Sequence, residues 1–126
     1  MAERISGTPV AFINVANRDR ALHFYRDTLG LELCSSDNFG DFIQLDGGLL
    51  RLTVLPDFKP SPHPVLGWNV RDMTSAVASL RERGVTFIIY PGMGQDELGV
   101  WTAPDGHVKV AWFADPDGNV LSLSQA

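Results

Sequence analysis

Residues 10–30, VAFINVANRDRALHFYRDTLG, join an apolar strand pattern to an amphipathic helix pattern. After Asn17, apolar side chains recur at intervals of three and four residues, as they do on the buried face of a helix. Asn17 occupies the position of an N-cap, and Gly30 stands where the helix should stop. The segment therefore predicts one strand followed by one helix.

The same pattern returns in residues 65–84, VLGWNVRDMTSAVASLRERG. Asp72 replaces Asn17 as the predicted cap, and Gly84 ends the helix. A self-similar segment at a fixed offset is the signature of an internal repeat. We therefore expect two copies of one structural unit.

Each half continues with further strands. Asp-Gly pairs at residues 46–47 and 117–118 predict tight turns between two strands, because glycine supplies the positive φ angles that hairpins require. One more strand is predicted directly after each helix, at residues 31–35 and 85–90. The fold class is thus α+β, with two βαβββ modules in a mixed sheet.

The second half carries an extra glycine-rich stretch at residues 91–106. We interpret it as a loop or lid in which residues 100–103 pair with residues 107–111. A linker rich in proline separates the halves, and proline cannot donate to a sheet ladder. The expected boundaries within a single domain of residues 1–126 are module one at 8–56, the linker at 56–64 and module two at 64–126.

Composition excludes several classes of protein. A net charge of −5 without a basic run argues against nucleic acid as a partner. No apolar run approaches the roughly 18 residues needed to cross a bilayer, and the N-terminus lacks the apolar core of a secretory signal. The single cysteine, Cys34, is compatible with a reducing cytoplasm, where we expect the protein, and its context predicts a buried small hydrophobe.

Two motifs resemble the vicinal oxygen chelate superfamily of glyoxalases, bleomycin resistance proteins and extradiol dioxygenases. They are ALHFYRDTLGL at residues 21–31 and DPDGN at residues 115–119. The resemblance covers nearly the whole chain and implies that each half curls its sheet into half a barrel around a ligand cleft. It also implies a homodimer. Phe24 and Tyr25 are interpreted as core anchors, and the DPDGN turn as the tip of a hairpin.

The resemblance also locates a metal site, which this sequence has lost. Metal-dependent relatives place a His, Gln or Glu on the first strand of each half and a Glu on the last strand of each. The corresponding residues here are Val10, Val65, Arg51 and Ser122. Two valines, an arginine and a serine are not donors that hold a divalent cation. We therefore expect no metal and no other cofactor.

Strand alternation divides each predicted strand into a helix-facing set and a second, mixed set that includes these vacated positions. A mostly apolar concave surface with a few polar groups is typical of a small-molecule site. The candidate ligand-binding residues are Phe12, Asn14, Arg51, Thr53, Asn69, Trp101, Trp112 and Ser122. A solvated sheet face is the structural alternative.

Arg51 has two interpretations of equal weight. Its guanidinium could bind the carboxylate or phosphate of an anionic ligand. Alternatively, it could pair with a nearby acid such as Asp41 or with a residue of a partner subunit. In either case an anion must lie close to it, because an unpaired buried charge is costly.

The three histidines do not form a metal motif. His23 lies opposite the apolar stripe of the first helix, His63 lies in the proline linker and His107 follows a turn. Their spacing is not that of a ligand pair.

Three functions compete. The first is a metal-independent protein that sequesters a small molecule, within one chain or in a dimer cleft. The second is a lyase, isomerase or dioxygenase with an atypical site, in which Asp96, Glu97 or His107 could act in acid–base catalysis. The third is a structural or regulatory module with a vestigial pocket.

Overall fold

The computed structural model describes residues 4–126, which form two compact units, one ending at Asp57 and the other beginning at Phe58. Each unit holds one helical segment and one four-stranded mixed sheet. The α+β class and the two βαβββ modules are confirmed. No helix within residues 4–126 is long and apolar enough to cross a membrane.

The first unit has strand order β1-β4-β3-β2. The helix α1 is followed directly by a π-helical segment. The elements are β1 (Val10–Val15), α1 (Arg18–Leu22), the π-helical segment (His23–Thr28), β2 (Glu32–Asp37), β3 (Gly40–Leu45) and β4 (Gly48–Val54).

The second unit has strand order β5-β8-β7-β6, so its first and last long strands again pair in parallel. Its elements are β5 (Pro64–Asn69), α2 (Met73–Glu82), β6 (Trp101–Thr102), β7 (Lys109–Ala114) and β8 (Val120–Gln125).

Both helices begin at the predicted caps. The Asn17 side chain accepts a hydrogen bond from the Arg20 amide at 2.9 Å, and the Asp72 carboxylate accepts one from the Ser75 amide at 3.2 Å. Each bond satisfies one of the free amides of a first turn. Gly84 has φ +93°, and this left-handed residue ends α2 as predicted.

The first helix differs from a regular α-helix. From His23 its hydrogen bonds widen, and the Leu29 amide donates to the Phe24 carbonyl at 2.9 Å. Phe24 and Tyr25 are both buried, with their rings edge to face at 5.2 Å. These two residues are core anchors, as predicted.

Strand alternation places the core where the sequence predicts it. The sheet residues between the mixed positions are buried: Ile13, Val15, Leu50 and Leu52 in the first unit, and Ala111, Phe113, Leu121 and Leu123 in the second.

The prediction for Cys34 is wrong, because the residue is exposed. The pairing of β2 with β3 shifts by one residue between Leu33 and Ser35, so Cys34 lies in a bulge of an edge strand. Its thiol donates to the Gln44 side chain at 3.5 Å.

The predicted strand at residues 85–90 is also wrong. Phe87 makes an isolated bridge with Phe113, and regular pairing with β7 resumes at Trp101. The Gln95 side chain explains the interruption, because it bonds to the amide of Tyr90 and the carbonyl of Ile88. The pairing predicted within residues 100–111 is confirmed for the two residues of β6.

The DPDGN turn is held by its own side chains. The buried Asp115 carboxylate accepts hydrogen bonds from the amides of Asp117 and Asn119 and from the Asn119 side chain, each at 2.9 Å. These bonds support the structural interpretation of the turn.

Candidate functional site

The candidate site begins on the mixed face of the first sheet. Phe12 lies beside Arg51 in the register of β1 and β4, and Asn14 lies beside Thr53. The residues between them point to the buried side, so these four side chains share the opposite face. Phe12 is 70 % exposed, which is unusual for a large apolar side chain.

Arg51 is the central residue of this face. It lies on β4, between β1 and β3, and is only 8 % exposed. Its Nη2 donates to Asp37 Oδ1 at 2.8 Å. Its guanidinium carbon lies 4.7 Å from the ring centre of Phe42, the residue opposite it on β3. The cation is therefore held by a carboxylate and an aromatic face.

Asp37 is itself fixed by the turn between β2 and β3. Its Oδ1 accepts hydrogen bonds from the amides of Phe39 at 2.8 Å and Gly40 at 3.1 Å. The Arg51 hydrogen bond, followed by that of the Phe39 amide, holds the pKa of Asp37 below its ordinary value. The carboxylate thus stays ionised and orients the guanidinium.

One nitrogen of Arg51 remains unsatisfied. Among residues 4–126, Nη1 is buried and finds no hydrogen-bond partner. Buried donors in native proteins are nearly always bonded, and such an exception calls for an explanation. Because Nη1 has almost no exposed surface and Phe42 covers the guanidinium, an acceptor oxygen from another molecule would satisfy it only after a side chain such as Phe42 moves aside.

The expectation that Arg51 could pair with Asp41 is wrong. Asp41 is 2 % exposed and accepts hydrogen bonds from Arg18 at 3.0 Å and Ser36 at 2.6 Å. It pairs across the ladder with Leu52, not with Arg51, and therefore lies on the opposite face of the sheet. Counting across the Asp46-Gly47 turn places Phe42 opposite Arg51, and this parity could have excluded Asp41.

The second unit carries the other four candidates on the corresponding face of its sheet. Trp112 and Gly67 flank Ser122 in the register of β7, β8 and β5. A side chain at Gly67 would collide with the Ser122 hydroxyl, so Ser122 lies directly over the glycine. Trp101 pairs with Val110, two residues from Trp112. Asn69 pairs with Ser124, one side-chain step from Ser122 along β8.

Three residues that contribute to these faces were missed by sequence reasoning. Asp37 and Phe42 hold Arg51, as described above. Tyr90 packs edge to face against Trp112, with ring centres 5.5 Å apart. Of these, only Phe42 could have been found from the sequence, because its cross-strand position opposite Arg51 can be counted. Asp37 lies beside a turn and Tyr90 lies where the expected strand is interrupted, so no local pattern points to either residue.

The four positions implied for a metal do not fit a cation. Val10 and Val65 are 38 % and 42 % exposed, and Arg51 is committed to Asp37. Ser122 offers one hydroxyl. No group of three or more His, Cys, Asp or Glu side chains that could hold a metal ion occurs within residues 4–126. This donor set therefore supports no chemistry routed through a divalent ion at that place.

Two of the candidate acid–base residues, Asp96 and His107, lie in a loop and a turn that are held by local hydrogen bonds. Asp96 Oδ1 accepts the amides of Leu98 and Val100 at 2.9 Å each, which fixes its loop. His107 is exposed at a turn, and its amide donates to Asp105. These contacts give Asp96 a role in shaping the loop.

Known proteins resemble the chain over almost its full length. A family profile described as the Glyoxalase/Bleomycin resistance protein/Dioxygenase superfamily matches residues 8–123. A solved structure of a superfamily member from Sphaerobacter thermophilus is 28 % identical, with a TM-score of 0.73 over 97 % of this chain and 98 % of the other.

Two further structures extend the comparison. An antibiotic-binding protein from a Streptomyces species is 27 % identical, with a TM-score of 0.72 over 98 % of each chain. A fosfomycin resistance protein from Listeria monocytogenes shares the fold at 12 % identity, with a TM-score of 0.75 over 98 % of this chain and 95 % of the other. Together with the profile, they confirm the resemblance drawn from the two motifs: this chain belongs to the glyoxalase/bleomycin resistance protein/dioxygenase superfamily.

Proposed function

We propose that the protein is a metal-independent binder of a small molecule, which it holds against the mixed face of the first sheet. The observation that carries the proposal is the state of Arg51. It is a buried cation with one nitrogen on Asp37 and another without an acceptor. A ligand oxygen that reaches this nitrogen when the Phe42 ring moves aside would complete the site.

The residues around Arg51 indicate the chemistry of the ligand. Phe42 covers the guanidinium, and the exposed Phe12 lies beside it on β1. An aromatic or apolar body would cover Phe12, and an acceptor oxygen would meet Nη1. A carboxylate meets this need, and so does a neutral carbonyl, because Asp37 already balances the guanidinium charge.

The comparisons support this class of function. The Streptomyces relative is described as an antibiotic-binding protein, and the family includes bleomycin resistance proteins. Binding without reaction requires no metal, which agrees with the donor chemistry of Val10, Arg51, Val65 and Ser122.

The test uses a ligand panel and matched arginine variants. Thermal shift and tryptophan fluorescence would screen bleomycin, fosfomycin and the simple aromatic acid benzoate, before and after dialysis against EDTA. We expect a panel member to bind equally in both preparations. Arg51→Met should weaken that binding about tenfold or more, the scale of a lost charged hydrogen bond. Arg71→Met, at an exposed arginine, should leave it unchanged.

Two results would contradict the proposal. One is binding that disappears with EDTA and returns with a divalent ion. The other is an affinity that is the same in Arg51→Met and in the unaltered protein.

A homodimer that holds the ligand where two copies meet, in the cytoplasm, belongs to the same proposal. Its support is the family resemblance for the dimer and the single cysteine for the compartment. Light scattering at micromolar concentration tests the dimer, and the mass of a monomer would contradict it.

A further inference from the structure

The two repeats differ most where the second edge strand is interrupted. In the first unit, β2 runs beside β3 with a single bulge. In the second, Phe87 pairs with Phe113, and pairing resumes only at Trp101, opposite Val110. The Ile88 amide still donates to the Trp112 carbonyl of β7 at 2.8 Å, and residues 89–100 then leave the sheet; we call them the excursion. The first unit builds its sheet without such a segment, so the fold does not require it.

The excursion has a defined shape. Gln95 Nε2 donates to the carbonyls of Ile88 and Gly99 at 2.8 Å each, and its Oε1 accepts the Tyr90 amide at 2.7 Å. The Asp96 carboxylate adds two bonds to the amides of the following turn. One side chain thus ties both ends of the excursion together, which makes this loop ordered.

A pocket lies between the excursion and the C-terminal end of α2. Its volume is about 340 Å³, within the size range of small-molecule sites. It is lined by Arg81, Gly84, Val85, Thr86, Phe87, Ile89, Glu97 and Leu98. All of these residues belong to the second unit, and none is a candidate binding residue of the faces described above.

The lining combines an apolar surface with two opposite charges. Val85 and Phe87 are buried, and Ile89 and Leu98 add aliphatic surface. Arg81 comes from α2 and Glu97 from the excursion, and both are exposed. Within residues 4–126, neither charged group takes part in an ion pair or a side-chain hydrogen bond.

We propose that this pocket is a second binding site for a small zwitterion with an apolar side chain, namely an apolar α-amino acid. The ligand carboxylate would meet the Arg81 guanidinium, and its ammonium group would meet the Glu97 carboxylate. The side chain would cover the exposed Ile89 and its neighbour Leu98, above the buried Val85 and Phe87. Opposite charges that line one pocket without pairing with each other favour a ligand that carries both charges.

The experiment measures amino acid binding by calorimetry and by amide chemical shifts. L-phenylalanine is the probe, with 3-phenylpropanoate and phenethylamine as analogues that each lack one charge. We expect L-phenylalanine to bind and to shift the amides of Thr86 and Leu98, which line the pocket. Each analogue should bind about tenfold more weakly or worse, the scale of one lost charged contact.

Variants separate the two charged contacts. Arg81→Gln and Glu97→Gln should each weaken L-phenylalanine binding about tenfold, whereas Glu82→Gln, a neighbouring exposed acid outside the lining, should not. Glu97→Gln should leave the residual binding of 3-phenylpropanoate unchanged, since that analogue has no ammonium group.

Several outcomes would overturn the inference: no binding of L-phenylalanine, equal binding by Arg81→Gln or Glu97→Gln, or shifts confined to other residues. Loss of binding in Arg51→Met would also overturn it, because it would place the amino acid on the first sheet. The inference stands apart from the proposed function, which is tested by Arg51→Met and by metal removal and not by variants of Arg81 or Glu97.

Discussion

Replacing Arg51 with methionine should weaken ligand binding while leaving the fold intact or making it more stable. Methionine keeps an unbranched side chain of similar reach on β4 but removes the guanidinium. It therefore removes both the contact with Asp37 and the buried Nη1 that has no partner within residues 4–126. The two losses act in opposite directions on the free energy of unfolding.

The magnitudes follow from these contacts. An unsatisfied buried donor costs the native state about 1–3 kcal/mol, and the variant recovers that amount. Loss of the cation–π contact with Phe42 costs about 0.5–1 kcal/mol. Asp37 is half exposed and regains water, so the broken ion pair adds little. The net expectation is a gain of about 0–2 kcal/mol.

The assay is urea denaturation followed by tryptophan fluorescence, with ligand affinity measured on the same samples. Arg18→Met is the matched control, because it leaves the buried Asp41 carboxylate without its cation and should clearly destabilise the protein. A loss of about 3 kcal/mol or more in Arg51→Met would instead identify Arg51 and Asp37 as a structural ion pair and contradict this expectation. An unchanged affinity would refute the ligand role.

Three further perturbations test the fold and its charges. Gly40→Ala should lower the free energy of unfolding by about 3 kcal/mol or more in urea, because its Cβ would collide with the Leu52 carbonyl of the neighbouring strand. Asp115→Ala should cost about 2–4 kcal/mol by the same measurement, since buried donors of the DPDGN turn lose their acceptor. The lowered pKa of Asp37 stabilises the protein above the unfolded-state pKa near 3.8, and this contribution is lost as the pH falls through the still lower folded-state value. Acid titration should therefore destabilise Asp37→Asn less than the unaltered protein, and equal curves would contradict the assignment.

Local patterns in the sequence predict much of the architecture, because they depend on short-range physics. The caps at Asn17 and Asp72 and the stop at Gly84 are set by residues within one helical turn. The alternation around Ile13 and Leu52 follows from the strand period of two. Both the helix-capping residues and the strand alternation occur in each repeat, so the assignment of one half supported that of the other.

The errors arose where a side chain from elsewhere replaced a backbone partner. Gln95 bonds to the Ile88 carbonyl and the Tyr90 amide, and no local sequence pattern indicates this replacement of a strand partner. The bulge at Cys34 reverses the alternation within a single strand. Asp37 meets Arg51 from the end of a different strand, so its role depends on how β2, β3 and β4 are stacked side by side.

The excursion at residues 89–100 is a part of this architecture that can change over generations without altering the sheet. It begins after the isolated Phe87–Phe113 bridge and ends at β6, while β5, β8 and β7 keep their pairing. Substitutions at its exposed positions leave those ladders untouched, so they carry little risk of misfolding, in contrast to changes at Gln95, Asp96 or the buried Val100. One copy of the repeated unit can thus keep an uninterrupted edge strand, while the other acquires a loop with a new binding specificity.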